Sequence, residues 1–239
     1  MNKKSSLMMR LSGAPYIVWA ALFIIVPLCM VAYYAFTDKS GAFTFDNMIS
    51  ISKYIDTIVL SVWLGLLATV ISLLIAYPLA MIMANKGPEK QSTMTMLIML
   101  PMWMNFLLRT YSWMTILEDN GLINTFITSI GLEPLQLINT RGAVVLGMVY
   151  NFLPYMILPI YTVMLKADRS LIEAAQDLGG NKLDVFKNVT IPLSVPGVVS
   201  GFTMVFVPSV STFYISQKLG GTGTTLIGDI IETQFQTAN

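Results

Sequence analysis

The sequence lacks histidine altogether, which removes the side chain most often used as a general base or metal ligand. Cysteine occurs once, as Cys29, so neither a disulfide framework nor a cysteine-based metal site is available. No catalytic residue and no metal site is expected, because neither a nucleophile paired with a base nor a ligand cluster is visible. Charge is scarce as well. Asp, Glu, Lys and Arg make up 11% of the 239 residues, against roughly 25% in an average soluble domain, which leaves too little polar surface for water. The net charge is +1 and the basic residues are dispersed, a pattern that argues against a nucleic-acid partner.

Hydrophobic residues fill 55% of the chain and fall into long blocks almost free of charge. A bilayer core about 30 Å thick takes about 20 helical residues. Five blocks meet that length, at about 11–36, 57–85, 91–113, 142–165 and 191–217. The expected fold class is therefore all-α and integral to a lipid bilayer, a single multi-pass domain over 1–239. Lys3, Lys4 and Arg10 before the first block look like the start of a signal peptide. The apolar stretch is much longer than the roughly 7 to 15 residues of such a peptide and no small-residue cleavage site follows, so an uncleaved first helix is expected. The link NKGPEK makes the second and third blocks an antiparallel pair.

Orientation follows from the basic residues between blocks, since cytoplasmic loops carry the excess. A cytoplasmic N-terminus places Lys3, Lys4, Arg10, Lys86, Lys90, Lys166, Arg169, Lys182 and Lys187 inside, and only Lys39, Lys53, Arg109, Arg141 and Lys218 outside. Residues 166–190 are then a cytoplasmic loop and Asn239 lies outside. The closing stretch holds a glycine cluster, Gly220, Gly221 and Gly223, without the GK[ST] of a phosphate-binding loop. It reads as a flexible outer loop or a short re-entrant segment.

Within the cytoplasmic loop, SLIEAAQDLGGNKLDVFKNVTIP (170–192) reads as two short helices. Ser170 and Glu173 have the spacing of a capping box, and Leu171, Ala175 and Leu178 repeat along one helical face. Gly179 and Gly180 suit a left-handed C-terminal cap. Asn181 can cap the second helix, with Asp184 in its positive first turn, and Pro192 opens the fifth block. An apolar stripe held on the cytoplasmic side needs a covering partner.

EAAQDLG, then nine residues, then VTIP resembles the EAA motif of ABC importer permeases, which in that family forms the coupling helix docked on a cytoplasmic ATPase. Glu173, Ala174, Ala175 and Gly179 match its fixed positions, and Val189, Ile191 and Pro192 match its end. Val189 stands where isoleucine is usual and Ile191 where leucine is. LPMWMNFLLRTYSWMTILEDNGLIN and LGMVYNFLPYMILPIY are similar to the corresponding stretches of spermidine/putrescine permeases, so the resemblance covers nearly the whole chain.

The resemblance implies a type I ABC importer permease core in a bacterial plasma (inner) membrane. It implies a homologous second permease, two cytoplasmic ABC ATPase subunits and an extracytoplasmic solute-binding protein as partners. ATP and Mg are used by the ATPases, and no cofactor is bound by this chain. Leu171, Glu173, Ala174, Ala175, Leu178, Gly179, Gly180 and Pro192 are the implied ATPase-coupling residues. The family usually has six spans and a cytoplasmic C-terminus, whereas five spans are read here; either the sequence is truncated or the subunit has no last helix. The implied cargo is a polyamine, with an inorganic anion or iron as the alternative.

The residues add their own detail. Pro78, Pro101, Pro154, Pro159, Pro196 and Pro208 lie in or near spans, where freed carbonyls can line a cavity. Gly197 and Gly201 form a GxxxG pair for close helix packing, within the chain or against a sister subunit. Arg109 is expected to snorkel to the outer interface beside Tyr111 and Trp113, or to lie on the cavity wall. Trp103, Arg109, Tyr111, Trp113, Tyr150, Tyr155 and Tyr214 are the candidate path or gate residues, since aromatic faces attract ammonium groups. Glu118, Asp119, Asp229 and Glu232 can add long-range attraction. The five core spans hold no acid, which disfavours an ion-coupled secondary transporter.

Overall fold

A computed structural model of the chain describes residues 14–38 and 40–237. The expectations placed on Lys3, Lys4, Arg10, residues 11–13, Lys39 and Asn239 lie outside the described residues. Helices follow one another throughout, and the described residues contain no β-strand, only an isolated bridge between Thr37 and Phe43. The chain divides into two compact units, Met1–Asp56 and Thr57–Asn239.

In the first unit, Ala14–Ala20, Ala21–Ile25 and Val26–Ala35 run on as one helix, α1, with none of its described side chains buried. Apolar exposure on this scale is what a lipid-facing helix presents. The middle run is a π-turn, closed by the Val26 N–H donating to the Ala21 carbonyl. It ends two residues before Pro27, whose missing N–H and bulky ring disrupt the bond to the preceding turn; widening that turn absorbs the misfit. Asn47 caps the far end of α1, donating through Nδ2 to the carbonyls of Tyr34 at 3.1 Å and Thr37 at 3.0 Å. It lies on α2 (Asp46–Ser50), which leads through a 3-10 turn into α3 (Ile55–Ala84).

The second unit is assembled on small residues. Along α3 the buried positions include Ser61, Gly65, Ala68, Thr69, Ser72, Ala76 and Ala80, a stripe that lets other helices approach its backbone. A Cβ added at Gly65 would lie 2.8 Å from Val210 Cγ2. The helices α7 (Arg141–Lys166) and α10 (Ile191–Ser211) make the most extensive pair. Here Gly197 and Gly201 have the role the GxxxG spacing suggested, and the partner is within the chain. A Cβ at Gly197 would sit 2.9 Å from the Pro159 carbonyl oxygen, and one at Gly201 would sit 2.9 Å from Met156 Sδ. Two apolar cores result, one around Leu64, Val144, Met148 and Leu219, the other around Ala80, Met83, Met156 and Val205, with Phe152 against both.

Three expectations about the spans need correction. The block 91–113 is two helices, α4 (Pro88–Trp103) and α5 (Phe106–Leu117), with Met104 and Asn105 extended between them. Pro101 weakens the last turn of α4, and the Asn105 side chain starts α5 by accepting the Leu107 N–H at 2.8 Å. The block 191–217 likewise stops at Ser211; Thr212 is extended and a separate helix, α11 (Tyr214–Leu219), follows α6 (Leu122–Ser129) and the others in chain order. Four helical runs among the described residues are long and apolar enough to cross a membrane: Pro15–Ala35, Asp46–Ala84, Arg141–Lys166 and Lys182–Ser211.

The third correction concerns the glycine-rich tail: its reading as a flexible loop fails at Gly220 and Gly221, which are packed, while Gly223 is open and the reading as a short re-entrant segment is not contradicted. A Cβ at Gly220 would lie 2.8 Å from Val144 Cγ2, and Gly221, at φ +60°, would meet Asn139 at 2.8 Å. The chain continues into α12 (Ile227–Thr237), whose first N–H donates to Ser61 Oγ at 2.8 Å. Asp229 is buried at its start and accepts from the Leu226 N–H at 2.7 Å and the Ser216 hydroxyl at 2.9 Å. Its oxygens are thus committed to internal hydrogen bonds, and burial pushes its carboxyl above the usual carboxylate range.

Candidate functional site

Residues 166–192 emerge from α7 and return as α10. Helix α8 (Arg169–Asp177) begins at Asp168, whose carboxylate accepts the Ser170 backbone N–H at 2.9 Å. The Ser170–Glu173 capping box is thus not formed. Asp168 precedes it by two residues, and an ionised carboxylate is a stronger acceptor than a serine hydroxyl. This bond holds the Asp168 carboxyl below the usual carboxylate range, so the cap persists at neutral pH and is lost only as the pH falls through that lowered value.

The C-terminal end of α8 follows the expectation closely. Gly179 adopts φ +86°. Its N–H donates to Gln176 O at 2.9 Å, while the Gly180 N–H donates to Ala175 O at 3.0 Å, the paired bonds of a Schellman motif. A Cβ at Gly180 would lie 2.7 Å from the Ala175 oxygen. The chain then restarts at α9 (Lys182–Val185), where Asn181 accepts the Asp184 N–H at 3.0 Å and Asp184 accepts the Asn181 N–H at 3.1 Å. Here the sequence reading of two short helices is only half right: α9 does not end. It passes through a π-turn, Phe186–Thr190, directly into α10, and that turn again ends two residues before a proline, Pro192.

The stripe of α8 is left uncovered. Leu178 is 90% exposed, Leu171 is 47% exposed, and Glu173 and Ala174 are exposed beside them, while Ala175 is half-buried. Leu183 of α9, which the sequence reading passed over, extends the apolar surface. Gly179 and Pro192 are exposed and Gly180 half-buried. Ile172 turns the other way, into a cleft lined by Met81, Asn85, Leu165 and Ser194 at the ends of the long helices.

One contact ties this loop to α3. The Tyr77 hydroxyl lies 2.9 Å from Ser194 Oγ, and because Ser194 donates to the Ile191 carbonyl at 2.8 Å, Tyr77 is the donor between them. The Tyr77 ring also meets Phe186 edge to face at 6.0 Å, beside Pro78 within α3. No sequence signal links residues so far apart.

At the opposite ends of the long helices, the candidate path residues separate into groups. Tyr111 and Tyr214 meet with ring centroids 6.2 Å apart, and Phe106 packs on Tyr214 at 5.9 Å. Trp113 and Tyr150 pair at 5.4 Å. Trp103, 70% exposed, and Tyr155, 41% exposed, join neither group. Lys218, which the sequence reading assigned only to a loop, stands over the rings of Tyr111 at 5.3 Å and Tyr214 at 5.8 Å. Its position four residues after Tyr214 was the available signal. Arg109 does not snorkel: it is 7% exposed, its guanidinium is 5.9 Å from the Phe106 ring, and Nε and Nη1 have no hydrogen-bond partner among the described residues.

Residues 76–239, which include the loop and both aromatic groups, match the family described as binding-protein-dependent transport system inner membrane component. The chain belongs to that family. It is thus a transport subunit of the inner membrane, crossing it several times. Several similar proteins carry the name spermidine/putrescine transport system permease protein PotB. The one from Haemophilus influenzae is 35% identical over 91% of this chain and 79% of its own length. The one from Escherichia coli is 34% identical over 91% of this chain and 82% of its own. The same fold occurs in a bacterial ABC transporter that imports the acidic polysaccharide alginate, with a TM-score of 0.73 at 18% identity, over 99% of this chain and 87% of that one.

Proposed function

We propose that the chain is the permease subunit of an ATP-driven, binding-protein-dependent importer, forms the path for a polyamine of the spermidine or putrescine kind, and couples that path to ATP hydrolysis. The observation that carries the cargo is the 35% identity across 91% of the chain to a permease named for spermidine and putrescine. In this reading the whole chain is one permease domain with type I topology, and α4 and α5 together form a fifth crossing broken at Met104–Asn105. At 1.5 Å per residue α4 is only about 24 Å long, short of a bilayer core of about 30 Å without α5. The partners are a homologous second permease, two cytoplasmic ATPases that use ATP and Mg, and an extracytoplasmic binding protein. The chain's own part is non-catalytic.

The exposed surface of Leu171, Glu173, Leu178 and Leu183 is the proposed ATPase contact, and Tyr77 with Phe186 and Ser194 gives its movement a route to α3. The buried Arg109, whose Nε and Nη1 have no hydrogen-bond partner among the described residues, favours an anion instead. Uptake of labelled spermidine by the complete complex in vesicles, with phosphate and ferric iron as competitors, decides between them. The expected result is uptake that neither competitor reduces and that disappears when this subunit is deleted. Normal polyamine uptake without the subunit rejects the reading.

The basic-residue excess supports a cytoplasmic position for 166–190, on the same side as the N-terminus. Because Cys29 is the only cysteine, a Cys29→Ser background leaves a clean label at Lys182→Cys. An impermeant maleimide is expected to react there only after the membrane is opened. Reaction from the outside of intact cells overturns the topology.

A further inference from the structure

Between α3 and α7 lies an apolar cleft of about 460 Å³ with a single charged residue at its end. Leu64, Val145 and Val149 are buried and form its floor, while Leu67, Ile75 and Leu146 are exposed along its rims. Arg141 and Gly142 also line it, and every other lining residue is Leu, Ile or Val, so the side chains along its length offer a ligand no hydrogen bond. The two helices run side by side in the same direction, since Leu64 packs in one core with Val144 and Ala80 packs in the other with Met156. Arg141, the first residue of α7, is therefore at the Leu64 end. From Leu64 to Ile75 the cleft follows α3 for about 16 Å, at 1.5 Å per residue. Half of a bilayer core about 30 Å thick is about 15 Å, so the cleft has the depth of one leaflet.

Arg141 is exposed, and no carboxylate among the described residues lies within 4 Å of it to form a salt bridge. It stands at the positive end of the α7 dipole, where a cation is disfavoured and an anion favoured. We propose that the cleft is a binding site for an anionic phospholipid, with one acyl chain along Leu64, Val145 and Val149 and the phosphate against Arg141. Each half of that ligand answers one half of the site. Apolar walls one leaflet deep take a hydrocarbon chain, and a lone cation at the end of the cleft takes a phosphate. A zwitterionic lipid brings an ammonium of its own to that point, so an anionic lipid is the better complement to Arg141. A bound chain fills the seam between two long helices and favours the α3–α7 spacing of this structure over any arrangement that closes the cleft. The proposal needs only the position of the chain in a membrane and is independent of the cargo.

The test is native mass spectrometry of the assembled complex in mild detergent, titrated with phosphatidylglycerol or phosphatidylethanolamine of matched acyl chains. Phosphatidylglycerol is expected to be held about fivefold more tightly, the worth of one basic residue to an anionic lipid, and Arg141→Gln is expected to lower it to the phosphatidylethanolamine level. Val145→Phe fills the cleft from its floor and should weaken retention of both lipids; where that variant fails to assemble, Leu146→Trp narrows the cleft from its exposed rim and serves instead. Equal retention of the two lipids by the unsubstituted complex overturns the proposal, as does a preference that survives Arg141→Gln. A preference lost in Arg141→Gln but untouched by filling the cleft also overturns it, because that result reports an ion pair at the surface with no chain in the cleft. A benzophenone attached at Leu146→Cys in the Cys29→Ser background identifies the occupant in the membrane. Cross-linking to lipid is expected, and cross-linking to another protein subunit instead overturns the site.

Discussion

Gly197→Leu is expected to prevent the subunit from folding, with little or no intact complex recovered from the membrane. The Cβ that any residue other than glycine adds here would lie 2.9 Å from the Pro159 carbonyl oxygen, 3.0 Å from Ile160 Cα and 3.1 Å from Val163 Cβ. Two of these are backbone atoms, which cannot rotate aside as the tip of a side chain can. Inserting extra carbons into a well-packed core costs about 1 to 3 kcal/mol, and a leucine against backbone belongs at or above the upper end. Three kcal/mol is over a hundredfold in the folded-to-unfolded ratio, a large part of a stability that is typically about 5 to 15 kcal/mol. Gly197→Ala should be intermediate.

The comparison that isolates the cause is Gly223→Ala. Gly223 has nothing within 4 Å of its notional Cβ, and the change is expected to stay within about 0.5 kcal/mol. The measurement is the yield of monodisperse complex and its melting temperature after purification in mild detergent. Full recovery of the leucine variant would show that the α7–α10 pair tolerates separation and that the GxxxG spacing has no packing role.

That contact was legible in the sequence because it depends on residues four apart on one helix; which surface received them was not, since Pro159 and Met156 come from a different segment. The same division runs through the coupling loop. The Gly179 turn and the Asn181 cap are local geometry, written in residues within three positions of each other, and both appear as expected. The Ser170 box failed because a better acceptor, Asp168, stood two residues earlier in the competition for the same backbone donors.

Hydropathy identified the apolar blocks, but averaging over a window hides a two-residue interruption, and Met104–Asn105 splits one block while Thr212–Phe213 ends another. Pro101 and Asn105 were the signals for the first break. The π-turns ahead of Pro27 and Pro192 had a signal as well, in the prolines themselves, although a proline alone does not say whether a helix will kink, stop or widen. Burial of Arg109 and the Tyr77–Ser194 hydrogen bond, between residues 117 positions apart, depend on tertiary packing that no local pattern encodes.

Gly179→Pro is expected to lower solute uptake by at least tenfold while ATP hydrolysis continues, so that more ATP is consumed per solute moved. At φ +86° the position is closed to proline, whose ring fixes φ near −65°. Proline also removes the N–H that donates to Gln176, and the Schellman bonds that set the angle between α8 and α9 are lost together. Gly179→Ala keeps the N–H and faces only the left-handed penalty, about 1 to 2 kcal/mol, so a partial loss is expected there. Glu173→Lys approaches the same surface without touching the turn. Glu173 is exposed, and the cap of α8 is supplied by Asp168, so reversing its charge leaves the fold of the loop intact while changing what an ATPase would meet beside Leu171 and Leu178. Both variants should reach the membrane at ordinary levels, because no buried core residue of the subunit is altered. The readouts are uptake and ATPase activity of the reconstituted complex, measured in the same vesicles. Unchanged uptake in both variants would remove this surface from the coupling path; loss in Gly179→Pro with none in Glu173→Lys would keep the turn as the element that matters and place the ATPase contact on its leucines.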